Sequence, residues 1–166
     1  MKSVASSFAV ACALALFAHT VAAQQDHEHH AGMHAHDAAS PAVEDARTLV
    51  HFPERLRVHT LANMRDHLLA LQQIQQSLGD GQYEQAGDIA ETRLGMTSLQ
   101  LHGAHENAQY MPQAMAAIGT RMHRAASRFA VAANDAAVAG DVKPALAALA
   151  DVTRQCVACH TGFRLQ

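Results

Sequence analysis

Cys156-Val157-Ala158-Cys159-His160 sets two thiols one helical turn apart and an imidazole directly after the second. Cys-x-x-Cys-His is the attachment signature of c-type haem. The two thiols can form thioethers with the two vinyl groups of one haem, and the imidazole stands ready to ligate its iron. Two other chemistries compete for the same residues. A zinc site needs two further ligands, for which His102 and His105 are available, but their spacing matches no common zinc module. A redox dithiol belongs at a helix start in a βαβ setting, and the sequence has no such pattern. Only six residues follow His160, so the sequence predicts that any second axial ligand comes from upstream.

Four amphipathic segments are expected to position this motif. The first spans 54–78 and stops at Gly79-Asp80-Gly81, with Leu61, Met64, Leu68, Leu71 and Leu78 at helical spacing. The second spans 82–101, with Ala86, Ala90, Leu94, Thr97 and Leu101 as a weaker stripe and Gly103 as its stop signal. The third spans 111–138. Met111, Met115, Ile118, Met122, Ala125 and Phe129 share its apolar face, Arg121, Arg124 and Arg128 lie off it, and Gly140 ends it. The fourth follows Asp141, read as an N-cap, with Pro144 in its first turn, and runs to the end. Leu146, Leu149, Val152, Cys156, Cys159, His160 and Phe163 fall on one side of it at about 100° per residue, which predicts that His160 faces the core. Four helices with short glycine-marked turns predict an all-α fold, an antiparallel four-helix bundle around a covalently bound haem. His59, His67 and His123 lie off or beside the apolar stripes and are expected at the surface, whereas pattern alone does not place His102 and His105.

The rest of the chain divides by composition. Lys2, an apolar run from Phe8 to Phe17 and the small residues Val21-Ala22-Ala23 read as a signal peptide over 1–23. The run is too short to span a membrane, and no later segment approaches the ~20 residues needed. Ala9-Val10-Ala11 before Cys12 lacks the bulky residue of a lipoprotein signal. Loss of Lys2 with the leader moves the formal charge from −3 to −4, which argues against a nucleic-acid partner. The mature chain keeps two cysteines, both in the motif, and a secreted chain of this kind is expected in the periplasm, where haem is attached. Residues 24–52 read as a disordered, histidine-rich segment and linker, and 53–166 as the folded domain. His27, His29, His30, His34 and His36, with Met33, are a set of donors for copper, zinc or nickel in exchangeable capture. The alternative is a solvated spacer.

Cys156 to Arg164, reading Cys-Val-Ala-Cys-His-Thr-Gly-Phe-Arg, closely resembles the C-terminal signature of class II c-type cytochromes, the cytochrome c′ type. By architecture the resemblance covers 54–166, and by motif it is specific over 156–164. It implies one covalent haem c in an antiparallel four-helix bundle, His160 as proximal ligand, and Phe163 and Arg164 beside the haem. Members often pair as homodimers and work as periplasmic electron carriers or bind nitric oxide and carbon monoxide.

The distal side decides between those roles. Arg57 to Met64 resembles the stretch of the family's first helix that carries a propionate-contacting arginine and, four residues on, the residue above the iron. Carried over, Arg57 is the propionate partner and Leu61 stands over a five-coordinate iron open to small gases. Met64 lies on the same stripe, within about 60° of Leu61. A thioether there gives His/Met ligation, which raises the potential and suits electron transfer. No general base, nucleophile or substrate pocket is legible, so the sequence predicts a non-enzymatic carrier with a periplasmic redox partner. Gas binding at the iron and metal handling through the histidine segment stand as its rivals.

Overall fold

Three prolines and three left-handed glycines punctuate residues 44–166, the part of the chain described by the computed structural model. The elements run in the order β1 (Thr48–Val50), α1 (Glu54–Gly79), α2 (Tyr83–Arg93), a 3-10 turn (Met96–Leu99), α3 (Ala104–Ala108), α4 (Gln113–Ala139), α5 (Lys143–Gly162) and β2 (Phe163–Leu165). The fold is mostly helical, as expected. The expected signal peptide and the histidines of 27–36 lie outside the described residues. Among the described residues no helix is long and apolar enough to cross a membrane.

Pro53 and Pro112 stand directly before α1 and α4, each with φ −53°. Their carbonyls accept the N–H groups of Arg57 (2.9 Å) and Ala116 (3.0 Å), so each proline starts a helix where its missing N–H costs nothing. Gly140 ends α4 at φ +74°, with its N–H on the Ala136 carbonyl at 2.8 Å, and turns the chain back along α4 as α5. Val142, rather than the expected Asp141, is the N-cap of α5, and Asp141 just before it accepts the Lys143 N–H at 3.0 Å.

The packing is sequential: α1 on α2, α2 on α4, α4 on α5. The shared core is rich in alanine, with Ala70 and Ile74 of α1, Ala86 and Ala90 of α2, Ala125, Ala126, Phe129, Ala130 and Ala133 of α4, and Ala145, Leu149 and Val152 of α5. Phe129 is its largest fully buried side chain, worth about 1.5–3 kcal/mol relative to exposure. Gly87 lets α2 approach α4 closely: a Cβ there would stand 3.0 Å from the Ala130 carbonyl oxygen.

Several expectations change. The second segment is not one helix to Leu101. It ends at Arg93, because side chains take over the backbone bonding beyond it: Met96 N–H donates to Ser127 Oγ at 2.9 Å, and Thr97 Oγ1 donates to the Glu91 carbonyl at 2.7 Å. The end of the linker and the end of the chain pair as a two-stranded parallel sheet, Thr48 opposite Phe163 and Val50 opposite Leu165. Phe163 therefore lies in β2 rather than on the last helix. On α1 the buried face is Leu56, Thr60, His67, Ala70, Ile74 and Ser77. The leucine stripe lies about a quarter turn away, with Leu68 68% exposed. His67 and His123, expected at the surface, are buried.

Candidate functional site

The last two turns of α5 carry Cys156, Cys159 and His160. The helix is built from alanine and leucine, opened by Pro144, and closed where the Phe163 N–H meets the Cys159 carbonyl. Cys156 packs at the edge of the core, and its thiol donates to the Val152 carbonyl at 3.6 Å. Both cysteines are free and half-buried. Burial pushes both thiols above their ordinary range, with Cys156 adding to the effect on Cys159. At neutral pH they are S–H groups. A redox dithiol is usually placed where the thiolate is favoured, which these surroundings do not do.

His160 is exposed, against the expectation that it faces the core. The buried line of α5 runs through Ala145, Leu149 and Val152, and His160 projects from its flank. Its carbonyl accepts from Arg47 Nη1 at 3.4 Å. Arg47 also holds Asp45, with Nε at 2.9 Å and Nη2 at 2.7 Å, and Asp45 lies 3.4 Å from Arg164 Nε. The Arg47 guanidinium holds the Asp45 carboxyl well below the usual carboxylate range. This cluster brackets the β1–β2 pair.

The strand pair places the distal candidates. β1 ends shortly before α1 and β2 follows α5 directly, so the first turns of α1 and the last turns of α5 share one end of the molecule. Leu61 and Met64 are half-buried on α1, and Val58, Leu68 and Leu69 are largely exposed. Leu146 and Val157 of α5 are exposed as well. Arg57 pairs with Glu54 at 2.7 and 2.8 Å. That ion pair faces solvent and contributes little, so it does not withhold the guanidinium from another anion. Phe163 and Arg164 are half-buried in β2.

Free thiols one turn apart, an exposed imidazole beside them, and exposed Val58 and Val157 at the same end are groups that could hold a covalently attached haem. Comparison with protein-family models, curated proteins and solved structures returned no match for this chain. The residues themselves therefore carry the functional reading.

Sequence reasoning missed one group. His67, His102 and His123 come together between α1, the α2–α3 connection and α4, with ring centroids 4.7, 5.6 and 6.4 Å apart. They lie far apart along the chain, so no spacing rule connects them.

Proposed function

We propose that this chain is a periplasmic, monohaem c-type cytochrome that carries electrons, built as an antiparallel four-helix bundle of the class II type. The reading rests on one observation: Cys156, Cys159 and His160 occupy the last turns of one helix, with both thiols free and half-buried and Val157 exposed between them. Cys156 and Cys159 would hold haem c through thioether bonds, and His160 would ligate its iron. The haem supplies a one-electron couple. The chain's part is to fix the axial ligand, wall off water with Leu61, Leu68 and Phe163, and offer Arg57 and Arg164 to negative charge, which together set the potential. In this reading Met64 supplies the sixth ligand. The His27–His36 segment is proposed as a site of exchangeable capture of copper, zinc or nickel.

The test is the reduced absorption spectrum of protein exported with the haem-attachment machinery, with and without carbon monoxide, beside a haem stain of the denatured chain. A covalent haem with a sharp low-spin α band, unmoved by carbon monoxide, supports the carrier. A broad high-spin spectrum that carbon monoxide shifts would give the distal side to Leu61 and make the protein a gas binder. Absence of covalent haem would end both readings.

A further inference from the structure

The buried histidines form a second constellation, remote in sequence from the cysteine motif. His67, His102 and His123 are 9%, 6% and 8% exposed. Nε2 of His67 and Nε2 of His102 are buried with no hydrogen-bond partner. Buried nitrogens without partners are uncommon, because each has given up water for nothing. Here two of them sit within one group of rings.

On His123 and His102 the surroundings fix which nitrogen carries the lone pair. His123 donates its Nδ1–H to the Leu94 carbonyl at 2.8 Å, which leaves Nε2 unprotonated. Ser98 spends its one hydroxyl hydrogen on the Gly95 carbonyl at 2.7 Å, so its oxygen, 3.4 Å from His102 Nδ1, accepts from that ring. His102 Nε2 is then a lone pair too. The loop is braced to hold it there: Asn63 and Asn107 both donate to the His102 carbonyl, at 3.2 and 3.0 Å. Burial pushes all three rings toward the neutral form, helped at His67 and His102 by the neighbouring imidazoles. Imidazoles whose second nitrogen is tied to a carbonyl or hydroxyl are the usual form of a histidine metal ligand.

We propose that His67, His102 and His123 form a three-histidine site for a divalent transition-metal ion of the zinc–copper class, bound through their Nε2 atoms. Among the described residues no three such side chains are already gathered tightly enough to grip an ion, so the trio must close on it. With metal–nitrogen bonds of about 2.0–2.1 Å, the rings of a three-histidine site lie roughly 5 Å apart, centroid to centroid. The observed 4.7, 5.6 and 6.4 Å straddle that value. Binding an ion therefore requires His67 and His123, the pair 6.4 Å apart, to draw together. Three neutral nitrogen donors without a thiolate select zinc or copper over magnesium or calcium, and leave a fourth position open. The site does not rest on the haem reading.

The test uses the full chain with His27, His29, His30, His34 and His36 replaced by serine, so that the N-terminal segment cannot compete. Zn2+ is titrated against a chromophoric chelator and counted after buffer exchange. The expected result is one retained Zn2+ per chain, lost in His102→Gln and weakened about 10–100-fold in Ser98→Ala, the usual effect of removing a ligand's supporting partner. Circular dichroism reports that each variant keeps its helices. X-ray absorption at the zinc edge of the serine-substituted chain reads the ligands directly, should His102→Gln unfold. Three imidazoles per zinc are expected. No retained Zn2+, full retention in a folded His102→Gln, or a zinc shell with fewer than three imidazoles would overturn the site.

Discussion

His123 of α4 donates its Nδ1–H to the main-chain carbonyl of Leu94, 2.8 Å away, at the point where α2 gives way to the 3-10 turn. Leu94 is the first carbonyl past the end of α2, where the helix can no longer supply a partner. A side chain of α4 therefore ends α2. Replacing His123 with leucine keeps the site apolar and leaves that carbonyl buried without its donor. The expected cost is about 1–3 kcal/mol, read as a lower urea midpoint of the metal-free protein. An unchanged midpoint would mean that water or a rearranged loop takes the imidazole's place.

Acid should unfold the metal-free protein earlier than its carboxylates alone would. Burial, then the neighbouring His102 and His123, depress His67 from 6.5 to about 4 in the folded chain. His102 and His123 move the same way, while Asp66 pulls His67 and His102 back. Arg93 and His59 are the other charged or titratable groups acting on these rings. The unfolded chain binds protons first, so stability is flat above 6.5 and falls as pH drops toward 4. Urea midpoints across that window measure it, and His67→Gln should shallow the slope. A midpoint constant through the window would mean that the rings reach water.

Two glycine-to-alanine changes should act in opposite directions. At Gly79, the last residue of α1, an added Cβ meets nothing within 4 Å, so alanine should stabilise by about 0.5–1 kcal/mol through the unfolded chain. At Gly87 the same methyl would stand 3.0 Å from the Ala130 carbonyl oxygen and 3.2 Å from Asn134 Oδ1. Backbone cannot yield as a side chain can, and α2 must shift off α4, at about 1–3 kcal/mol. Thermal melts of the two variants give the signs, and a Gly87→Ala that melts higher would show that the helix contact is loose.

The helical class, the starts of α1, α4 and α5 and the glycine stops after α1 and α4 were legible because prolines, glycines and apolar periodicity act locally, whereas Gly103, expected to end the second helix, stands directly before α3. The apolar face of α4 was legible too: Met115, Met122, Ala125 and Phe129 are buried where their spacing put them. On α1 periodicity misled because the helix has two faces of different kinds. Its close helix contact uses small residues, Thr60, Ala70 and Ser77, and a histidine, which carry little hydropathy. Of the leucine stripe, Leu71 and Leu78 pack against the edge of the core and Leu68 faces out. The β1–β2 pair joins segments from opposite ends of the described chain, and three-residue strands leave no alternation to detect. In the candidate haem site, Cys156, Cys159 and His160 stand close enough in sequence to be read as a motif. The histidine trio draws on three elements and exists only in the fold.

Met64→Leu should separate the two distal readings without disturbing the fold. Met64 is half-buried, and exchange of methionine for leucine conserves volume, usually for less than about 1.5 kcal/mol. Leucine packs as methionine does but has no sulfur lone pair to offer an iron. With Met64 as sixth ligand, the variant should lose the low-spin α band, gain a carbon monoxide shift and fall in reduction potential, since thioether ligation raises it. The haem stain of the denatured chain should persist, because Cys156 and Cys159 are untouched. His160→Ala should instead disturb the spectrum whichever residue lies opposite. If Met64→Leu leaves both the spectrum and the potential as they were, Met64 is core packing. The open position beside Leu61 would then define the chemistry.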